Sequence, residues 1–237
     1  MPIILAIETS SEIASAALLI GSRVIQQQTS GVMNHSQQVI PMVQSLLKEA
    51  GIALADCEAI AFGSGPGSFT GVRTACGVVQ GLAFGAGLPV IPVVTLLALA
   101  QAQQVATGTN NLVVALDARM GEVYWAHYFY DEKRQSWYTV VAPTLSAPQF
   151  VVVAELADQG QPALVGNGFI AYADKFNLPS AMLASAVDSL PQASAVGQLA
   201  QVEFAQGRAF PAEMAQPLYL RNKIALTSAE RLALVQP

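Results

Sequence analysis

The sequence has few of the residues on which metal centres and nucleic-acid-binding surfaces depend. It contains two histidines, two cysteines and eleven lysines and arginines in 237 residues. His35 and His127 lie in different halves of the chain, so a zinc motif with two closely spaced histidines is excluded. The formal net charge of -5 opposes direct binding of nucleic acid, because neutralising phosphates requires clustered basic side chains. We expect His35 to have a capping or surface role and His127 to be structural.

Cysteine usage, hydropathy and the N-terminal residues are typical of a cytoplasmic globular protein. Cys57 and Cys76 show no paired spacing, which fits reduced thiols better than a disulfide framework or a metal site. Residues 1–10 carry no basic segment and include Glu8, so no signal peptide is predicted. Residues 74–116 lack charge, but prolines and glycines divide them into pieces too short to span a bilayer. We expect no membrane segment and a cytoplasmic location.

The hydrophobic pattern predicts two successive units of strands and helices. Apolar residues alternate or run continuously in the predicted strands, and recur every three to four residues in the predicted helices. The predicted strands are residues 3–7, 14–20, 23–28, 56–62, 89–93, 112–116, 122–130, 137–141 and 163–165. The predicted helices are residues 36–50, 68–84, 95–105, 149–158 and 195–206.

The element order of the first unit begins again in the second half. The first strand of each unit ends on a carboxylate, Glu8 in one and Asp117 in the other. This repetition predicts an α/β protein of two related lobes, each a mixed sheet with flanking helices, which meet at a cleft. Paired lobes of this kind are typical of the actin-like (RNase H-like) superfamily. We expect residues 1–108 to form the N-terminal lobe, 109–223 the C-terminal lobe and 224–237 a tail.

A glycine-rich connection between a strand and a helix is the most distinctive local feature. Residues 63–73 read Gly-Ser-Gly-Pro-Gly-Ser-Phe-Thr-Gly-Val-Arg. Free backbone N–H groups at a helix N-terminus can cradle an anion, so residues 63–67 are a candidate phosphate site. The run matches neither the dinucleotide fingerprint, since Ser68 replaces the third glycine, nor the P-loop, since no Lys-Ser or Lys-Thr pair follows. A tight turn that needs glycine explains the run equally well, and both interpretations stay open.

The helix predicted after this connection carries Gly77, Gly81 and Gly85 on one face. Each interior glycine destabilises a helix by about 1 kcal/mol relative to alanine. Such a face is useful where another backbone comes very close, and that backbone is either the underlying sheet or the helix of a partner. The spacing is compatible with both.

The first predicted helix is apolar on more than one face. Val39, Val43 and Leu46 form one stripe, and Ile40 and Leu47 lie off it. An apolar arc wider than one core contact needs indicates a second buried surface. Together with the glycine face, it predicts an oligomer or a heteromer.

The ends of the first strands in the two units resemble degenerate phosphate loops of actin-like kinases. Glu8 and Thr9 stand where those kinases have an Asp and a Gly-Thr pair, and the glycine is missing. Asp117 stands at the corresponding clamp of the second unit, where one glycine follows two bulky residues, Arg119 and Met120. Because such side chains keep the backbone away from a phosphate, we predict no bound cofactor at these positions.

Four blocks of sequence, in order, resemble the TsaB family. The likeness extends from the first strand to about Asn222, and the second and third blocks are specific. It implies a two-lobed actin-like fold and a role in attaching threonylcarbamoyl to the adenosine next to the anticodon, in tRNAs that read codons starting with A. The blocks are residues 4–10 (Ile-Leu-Ala-Ile-Glu-Thr-Ser), 63–73, 116–125 (Leu-Asp-Ala-Arg-Met-Gly-Glu-Val-Tyr-Trp) and 217–222 (Pro-Leu-Tyr-Leu-Arg-Asn).

The resemblance also implies a non-catalytic subunit. TsaD is the catalytic relative, TsaE is an ATPase partner, and TsaB proteins pair with TsaD or form homodimers when alone. TsaD relatives carry a His-x-x-x-His metal pair at the start of the helix after the short strand, and the matching positions here are Thr95 and Leu99. Neither side chain replaces an imidazole ligand. We expect a pseudoenzyme without catalytic, cofactor-binding or metal-binding residues, which meets tRNA only through its complex.

The family resemblance implies a partner contact through first-lobe helices. With the apolar arc and the glycine face, it predicts an interface that contains Val39, Val43, Leu46, Gly77 and Gly81. Two other functions stay open. One is an active actin-like kinase or ATPase, which would turn over Mg-ATP, and the other is a glycoprotease-type metallopeptidase, which would hold a stoichiometric metal.

Overall fold

The first half of the chain alternates strands and helices in the predicted order. The computed structural model describes residues 2–30, 35–157 and 159–221. All five strands and all three helices predicted in this half are confirmed, with small shifts at their ends. They are β1 (Ile3–Glu8), β2 (Ile13–Ile20), β3 (Arg23–Ser30), α1 (His35–Ala50), β4 (Ala59–Gly65), α2 (Phe69–Ala86), β5 (Val90–Val94) and α3 (Thr95–Thr107).

The second half contains four strands and three helices among the described residues. The helix predicted over 149–158 is wrong over its described part, where Pro148–Phe150 forms a single 3-10 turn and the chain then runs irregularly. Val151 and Val153 nevertheless contact the core, so their apolar character reflects burial rather than helix formation. The elements are β6 (Asn111–Arg119), β7 (Glu122–Asp131), β8 (Ser136–Ser146), β9 (Ala163–Val165), α4 (Asn167–Ala171), α5 (Ser180–Ala184) and α6 (Ala193–Ala205).

The two sheets repeat one topology. The first has the order β3-β2-β1-β4-β5 and the second β8-β7-β6-β9. In each, the central strand pairs antiparallel with the next strand of the chain and parallel with the strand on its other side. The predicted α/β fold of two related lobes, each with a mixed sheet and flanking helices, is confirmed.

Helices cover both faces of the first sheet. α1 and α2 pack on the face that carries Leu5 and Phe62, whereas α3 and α6 pack on the face that carries Ile4 and Leu19. α6 comes so close to β2 that a Cβ at Gly197 would lie 2.0 Å from the Leu19 side chain. Because successive strand residues point to opposite faces, burial on both faces explains the continuous apolar runs of β1 and β2.

The second sheet shares α3 with the first. Leu96 and Leu99 of α3 pack against Leu112 and Val114 of β6. The opposite face is covered by the irregular segment after β8 and by α4, which contributes Phe169. α3 therefore lies between the two sheets and packs against both of them.

The chain returns to the first lobe near its C-terminal end. Beyond α6, Phe210 exchanges two backbone hydrogen bonds with Val90, at 2.8 and 2.9 Å, and Ala212 joins the core under α1 and α2. The C-terminal lobe predicted over 109–223 stays a prediction, although α6, Phe210 and Ala212 contact the first lobe. The boundary near residue 108 stays a prediction.

The described helices also bear on the membrane question. None of them is both long and apolar enough to cross a bilayer. The predicted tail, 224–237, and the side chain of His35 lie outside the described residues.

Candidate functional site

A cleft of about 370 Å³ lies between the two lobes. It is bounded by the turn after β1, by the connection from β4 to α2, and by the turn from β6 to β7. Ser10 and Phe69 line it from the first lobe, and Leu116 and Tyr124 from the second. The carboxyl ends of the two central strands therefore face each other across this cleft, as the sequence predicted from Glu8 and Asp117.

Glu8 lies behind the cleft wall and is fully buried. Its carboxylate accepts hydrogen bonds from the Ser10 N–H at 2.6 Å and from the Thr95 hydroxyl at 3.3 Å. Burial raises the pKa of Glu8 above the ordinary glutamate value, and the hydrogen bonds to Ser10 and Thr95 oppose that rise. The carboxyl is thus engaged by the chain itself.

The glycines at the end of β4 and in the residues that follow it are explained by close packing on the end of β1 and the turn after it. A Cβ at Gly63 would lie 1.8 Å from Glu8 Oε2, and one at Gly67 would lie 2.5 Å from Ser10 O. Gly71 comes equally close to the backbone of the same turn. The backbone of this connection is thereby pressed against residues 8–10, so the tight-connection interpretation accounts for these glycines without an anion.

Asp117 is held by groups of its own lobe. Its carboxylate accepts hydrogen bonds from the Tyr172 hydroxyl at 2.8 Å and from the Arg119 N–H at 2.7 Å, and it pairs with the Arg119 guanidinium at 2.9 Å. Arg119 and Met120 take left-handed backbone conformations, with φ of 63° and 60°. Two bulky side chains therefore stand in the tight turn at the rim of the cleft, as the sequence predicted.

The glycine face of α2 is exposed. A Cβ at Gly77, Gly81 or Gly85 would meet no atom of the described residues within 4 Å apart from its own turn of helix, and the side chain of Phe84 on this side of the helix is 80% exposed. Of the two explanations open from the sequence, close packing on the underlying sheet is therefore wrong. Within the described chain nothing requires glycine at these positions.

The residues of α1 in the predicted interface are buried, unlike the glycine face of α2. Val39, Val43 and Leu46 face the first sheet and are buried in its core. Their side chains are covered by the chain itself, and their part in a partner contact stays a prediction. The stripe they form is the core-facing side of an amphipathic helix.

Comparisons with known proteins cover nearly the whole chain. The family model described as "TsaD: tRNA N6-adenosine threonylcarbamoyltransferase" matches residues 19–236. The tRNA threonylcarbamoyladenosine biosynthesis protein TsaB of Escherichia coli is 39% identical over 222 residues, which are 94% of this chain and 96% of that protein. The chain belongs to the TsaB family. It also shares the domain family of the TsaD transferase, and the Haemophilus influenzae TsaB is 36% identical over 93% of this chain and 94% of its own length.

Solved structures agree with this TsaB assignment. The structure described as YeaZ from Pseudomonas aeruginosa has a TM-score of 0.84 and 38% identity, and the match covers 93% of this chain and 100% of that one. A second structure from that organism, described as an uncharacterized protein with similarity to peptidase YEAZ, has a TM-score of 0.85 at the same identity and coverage. The two-lobed fold is thus shared with a solved relative.

Thr95 and Leu99, the two positions predicted to match a TsaD metal pair, lie in the first half of α3. Thr95 is the first residue of α3 and is fully buried, where its hydroxyl accepts a hydrogen bond from the Gly65 N–H at 3.1 Å. Leu99 is fully buried in the core between α3 and β6. Residues 2–30, 35–157 and 159–221 contain no group of three or more His, Cys, Asp or Glu residues placed to hold a metal ion.

The remaining histidine and the cysteines lie away from the cleft. His127 is buried in β7, where one ring nitrogen lies 2.7 Å from Asn111 Oδ1 and burial lowers the pKa of the imidazole. Its predicted structural role fits this position. Burial raises the pKa of the Cys57 thiol to about 11 and also raises that of Cys76, so both remain protonated at neutral pH.

Sequence reasoning missed one set of cleft residues. Leu218, Tyr219, Leu220 and Arg221 line the cleft beside the two carboxyl-end turns. Their block of sequence contributed to the TsaB resemblance but received no role. Family similarity in a segment without a predicted helix or strand indicates a functional loop, and this could have identified the block.

Proposed function

We propose that this chain is a non-catalytic subunit in the formation of threonylcarbamoyladenosine in tRNA. It acts in the cytoplasm as a scaffold and activator of a TsaD-type catalytic subunit, together with a TsaE-type ATPase. It meets tRNA only through that complex and forms a homodimer when the catalytic subunit is absent. The names of the relatives, which are biosynthesis proteins of this modification, support the pathway.

The observation that carries the docking role is the exposed glycine face of α2. Three glycines inside one helix, with open space above each, destabilise the isolated chain by about 1 kcal/mol per position relative to alanine. A partner helix that approaches the backbone closely provides a physical reason for them. Phe84, exposed on the same side, supplies an apolar anchor of the kind that dominates interface energies.

The interior of the cleft supports a non-catalytic role. Glu8 and Asp117 both bond to groups of this chain, and the glycines near residues 63–71 pack against the turn after β1. An acid, base or phosphate-binding loop needs such groups to be available to a substrate. Thr95 and Leu99, in place of imidazole ligands, remove a metal site of the TsaD type.

The test is a Gly81→Leu variant, assayed for binding to the TsaD-type subunit from the same cell. A leucine on the exposed face holds the partner backbone away, so we expect at least a hundredfold loss of affinity, on the order of a well-placed interface residue. The far-ultraviolet circular dichroism should match the unchanged chain, since no other part of residues 2–30, 35–157 and 159–221 lies within 4 Å of the new Cβ. Formation of modified tRNA in a reconstituted system should fall in parallel.

A matched control is Ala106→Leu on α3, which adds the same side chain at another exposed helical position. It should leave binding and tRNA modification unchanged. Full binding by folded Gly81→Leu protein would refute the docking surface. Turnover of Mg-ATP by the purified chain, or one tightly bound metal ion per chain, would favour the kinase or metallopeptidase alternatives.

A further inference from the structure

Residues 217–221, which we name the C-terminal strap, connect the two lobes along the cleft. At one end, the Leu218 N–H donates a hydrogen bond to Ser64 O in the first lobe at 2.7 Å. At the other end, the Arg221 guanidinium donates to Glu122 Oε2 in the second lobe at 2.5 Å and to Arg119 O at 3.4 Å. The strap therefore has one anchor on each side.

The first-lobe anchor is closely fitted. Gly65 has a φ of 107°, and a Cβ at this position would lie 2.9 Å from Leu218 O, so the strap lies directly on the connection after β4. The Tyr219 hydroxyl accepts a hydrogen bond from Arg73 Nε at 2.6 Å, and its ring lies 5.9 Å from that of Phe69. Arg73 also stacks on Phe69, with its guanidinium carbon 3.6 Å from the ring centre.

The second-lobe anchor depends on a charge pair. The side chain of Arg221 is only 17% exposed, while that of Glu122 is 37% exposed. The guanidinium also lies 3.6 Å from Met120 Sδ, so it is held at the turn between β6 and β7 by three different groups. A partly buried pair with additional hydrogen bonds is worth more than an exposed surface pair, because it is less screened by solvent.

The strap adds a further connection to those that α3 and residues 190–193 make between the lobes. α3 contributes residues to the cores of both lobes, and the strap forms part of the cleft wall. Each additional connection between a pair of lobes restricts hinge motion further. We propose that the strap sets the angle between the lobes, so that the cleft keeps its width without any bound ligand, and that its release from Glu122 lets the lobes open.

The test follows the distance between the lobes in single molecules of the full chain. Dyes are attached to cysteines introduced at Ser22 in the first lobe and Lys133 in the second, both exposed. Native Cys57 and Cys76 are buried and have raised pKa values, so they react slowly. We expect one narrow distribution of energy transfer for the starting chain, and for Arg221→Glu a second, opened population, with the open-to-closed ratio raised about tenfold by loss of a charged hydrogen bond.

Two matched variants identify the anchor. The charge swap Arg221→Glu with Glu122→Arg should restore the narrow distribution. A chain that ends after Arg221 keeps the strap and should behave like the full chain, whereas a chain that ends after Gln216 should open. If Arg221→Glu and the shorter truncation both keep the narrow distribution while folded, the strap does not set the angle. Opening that the charge swap fails to reverse, or equal opening in the chain that ends after Arg221, also overturns the proposal. The measurement needs no partner, so its outcome is independent of the docking role proposed above.

Discussion

The two lobes share one sheet topology, but the carboxylates near the ends of their central strands lie in different environments. β1 and β6 occupy the same place in their sheets; β1 ends on Glu8, and β6 carries Asp117 two residues before its last residue, Arg119. Glu8 is fully buried and has no ion pair with any of the described residues, whereas Asp117 borders the cleft and pairs with Arg119. The two sheets thus share one topology, whereas the Glu8 carboxylate lies in the core and the Asp117 carboxylate lies in the cleft wall.

A glycine at the end of the fourth strand of each sheet, or directly after it, is a feature that the two lobes have in common. Gly63 follows this pattern in the first lobe, where a Cβ would overlap the Glu8 carboxylate. Gly166 follows it in the second, where a Cβ would lie 2.0 Å from Ala115 O. In both lobes the backbone at this glycine lies very close to the central strand, so packing requires glycine in each.

The largest effect we expect comes from breaking that shared contact. Gly166→Ala should lower the free energy of unfolding by about 3 kcal/mol, because its methyl group collides with backbone and its φ of 119° strains any other residue. Gly63→Ala should lower it by roughly 2 kcal/mol, since the colliding Glu8 carboxylate can shift in part. Urea unfolding followed by circular dichroism measures both.

Gly77→Ala is the control for these two variants. Its methyl group meets open space on a helix, so it should raise the free energy of unfolding by about 1 kcal/mol. If Gly166→Ala proved as stable as Gly77→Ala, the close approach would not be what fixes glycine in the second lobe.

A smaller effect should follow from Glu8→Gln, which sharpens the electrostatic difference between the lobes. Burial raises the pKa of Glu8 in the folded chain, so folding favours the protonated carboxyl. The free energy of unfolding therefore falls as the pH rises from the ordinary pKa of 4.5 through the raised pKa of the folded chain. Removing the charge should therefore stabilise the chain at pH 8 and have little effect below pH 4.

Urea midpoints measured from pH 4 to pH 8 check this prediction. The difference between Glu8→Gln and the starting chain should grow with pH. A difference that stays constant across the range would mean that Glu8 titrates normally. A difference that shrinks with rising pH would mean that its pKa is lowered.

The smallest effect we expect is that of Asp117→Asn. The variant loses the ion pair with Arg119, whose side chain is 76% exposed, but the new amide oxygen can still accept a hydrogen bond from Tyr172. The loss of stability should be about 0.5 kcal/mol, because the guanidinium end of the pair is exposed although the Asp117 side chain is only 8% exposed, and it should decrease in 1 M salt. Thermal unfolding at low and high salt measures it, and a loss that persists at high salt would show that the pair is not screened.

The regular elements could be predicted because their patterns are local. Burial on both faces leaves β1 and β2 apolar throughout, and one-sided burial leaves the amphipathic stripe of α1. The repeat of the two units, and the positions of Glu8 and Asp117 at matching strand ends, follow from the same patterns. Irregular residues 151–157 carry apolar side chains without helical structure, and periodicity alone does not distinguish that case.

The site was only partly predictable because its key contacts are distant in sequence. An apolar stripe on α1 can face either a core or a partner, and only packing shows that Val39 and Leu46 face the core. The contact between Leu218 and Ser64 joins residues more than a hundred positions apart, so no local sequence pattern predicts it. The open space above Gly77 likewise depends on what the rest of the chain leaves uncovered.

The position of α6 constrains how the chain acquires its structure during synthesis. Residues 193–205 cover the face of the first sheet that carries Ile4 and Leu19, yet they leave the ribosome after the whole second sheet has been made. The N-terminal part of the chain therefore cannot complete its core as an early, separate step, although domains generally fold in order of their appearance. Until α6 arrives, an apolar sheet face stays open to chaperones and to aggregation.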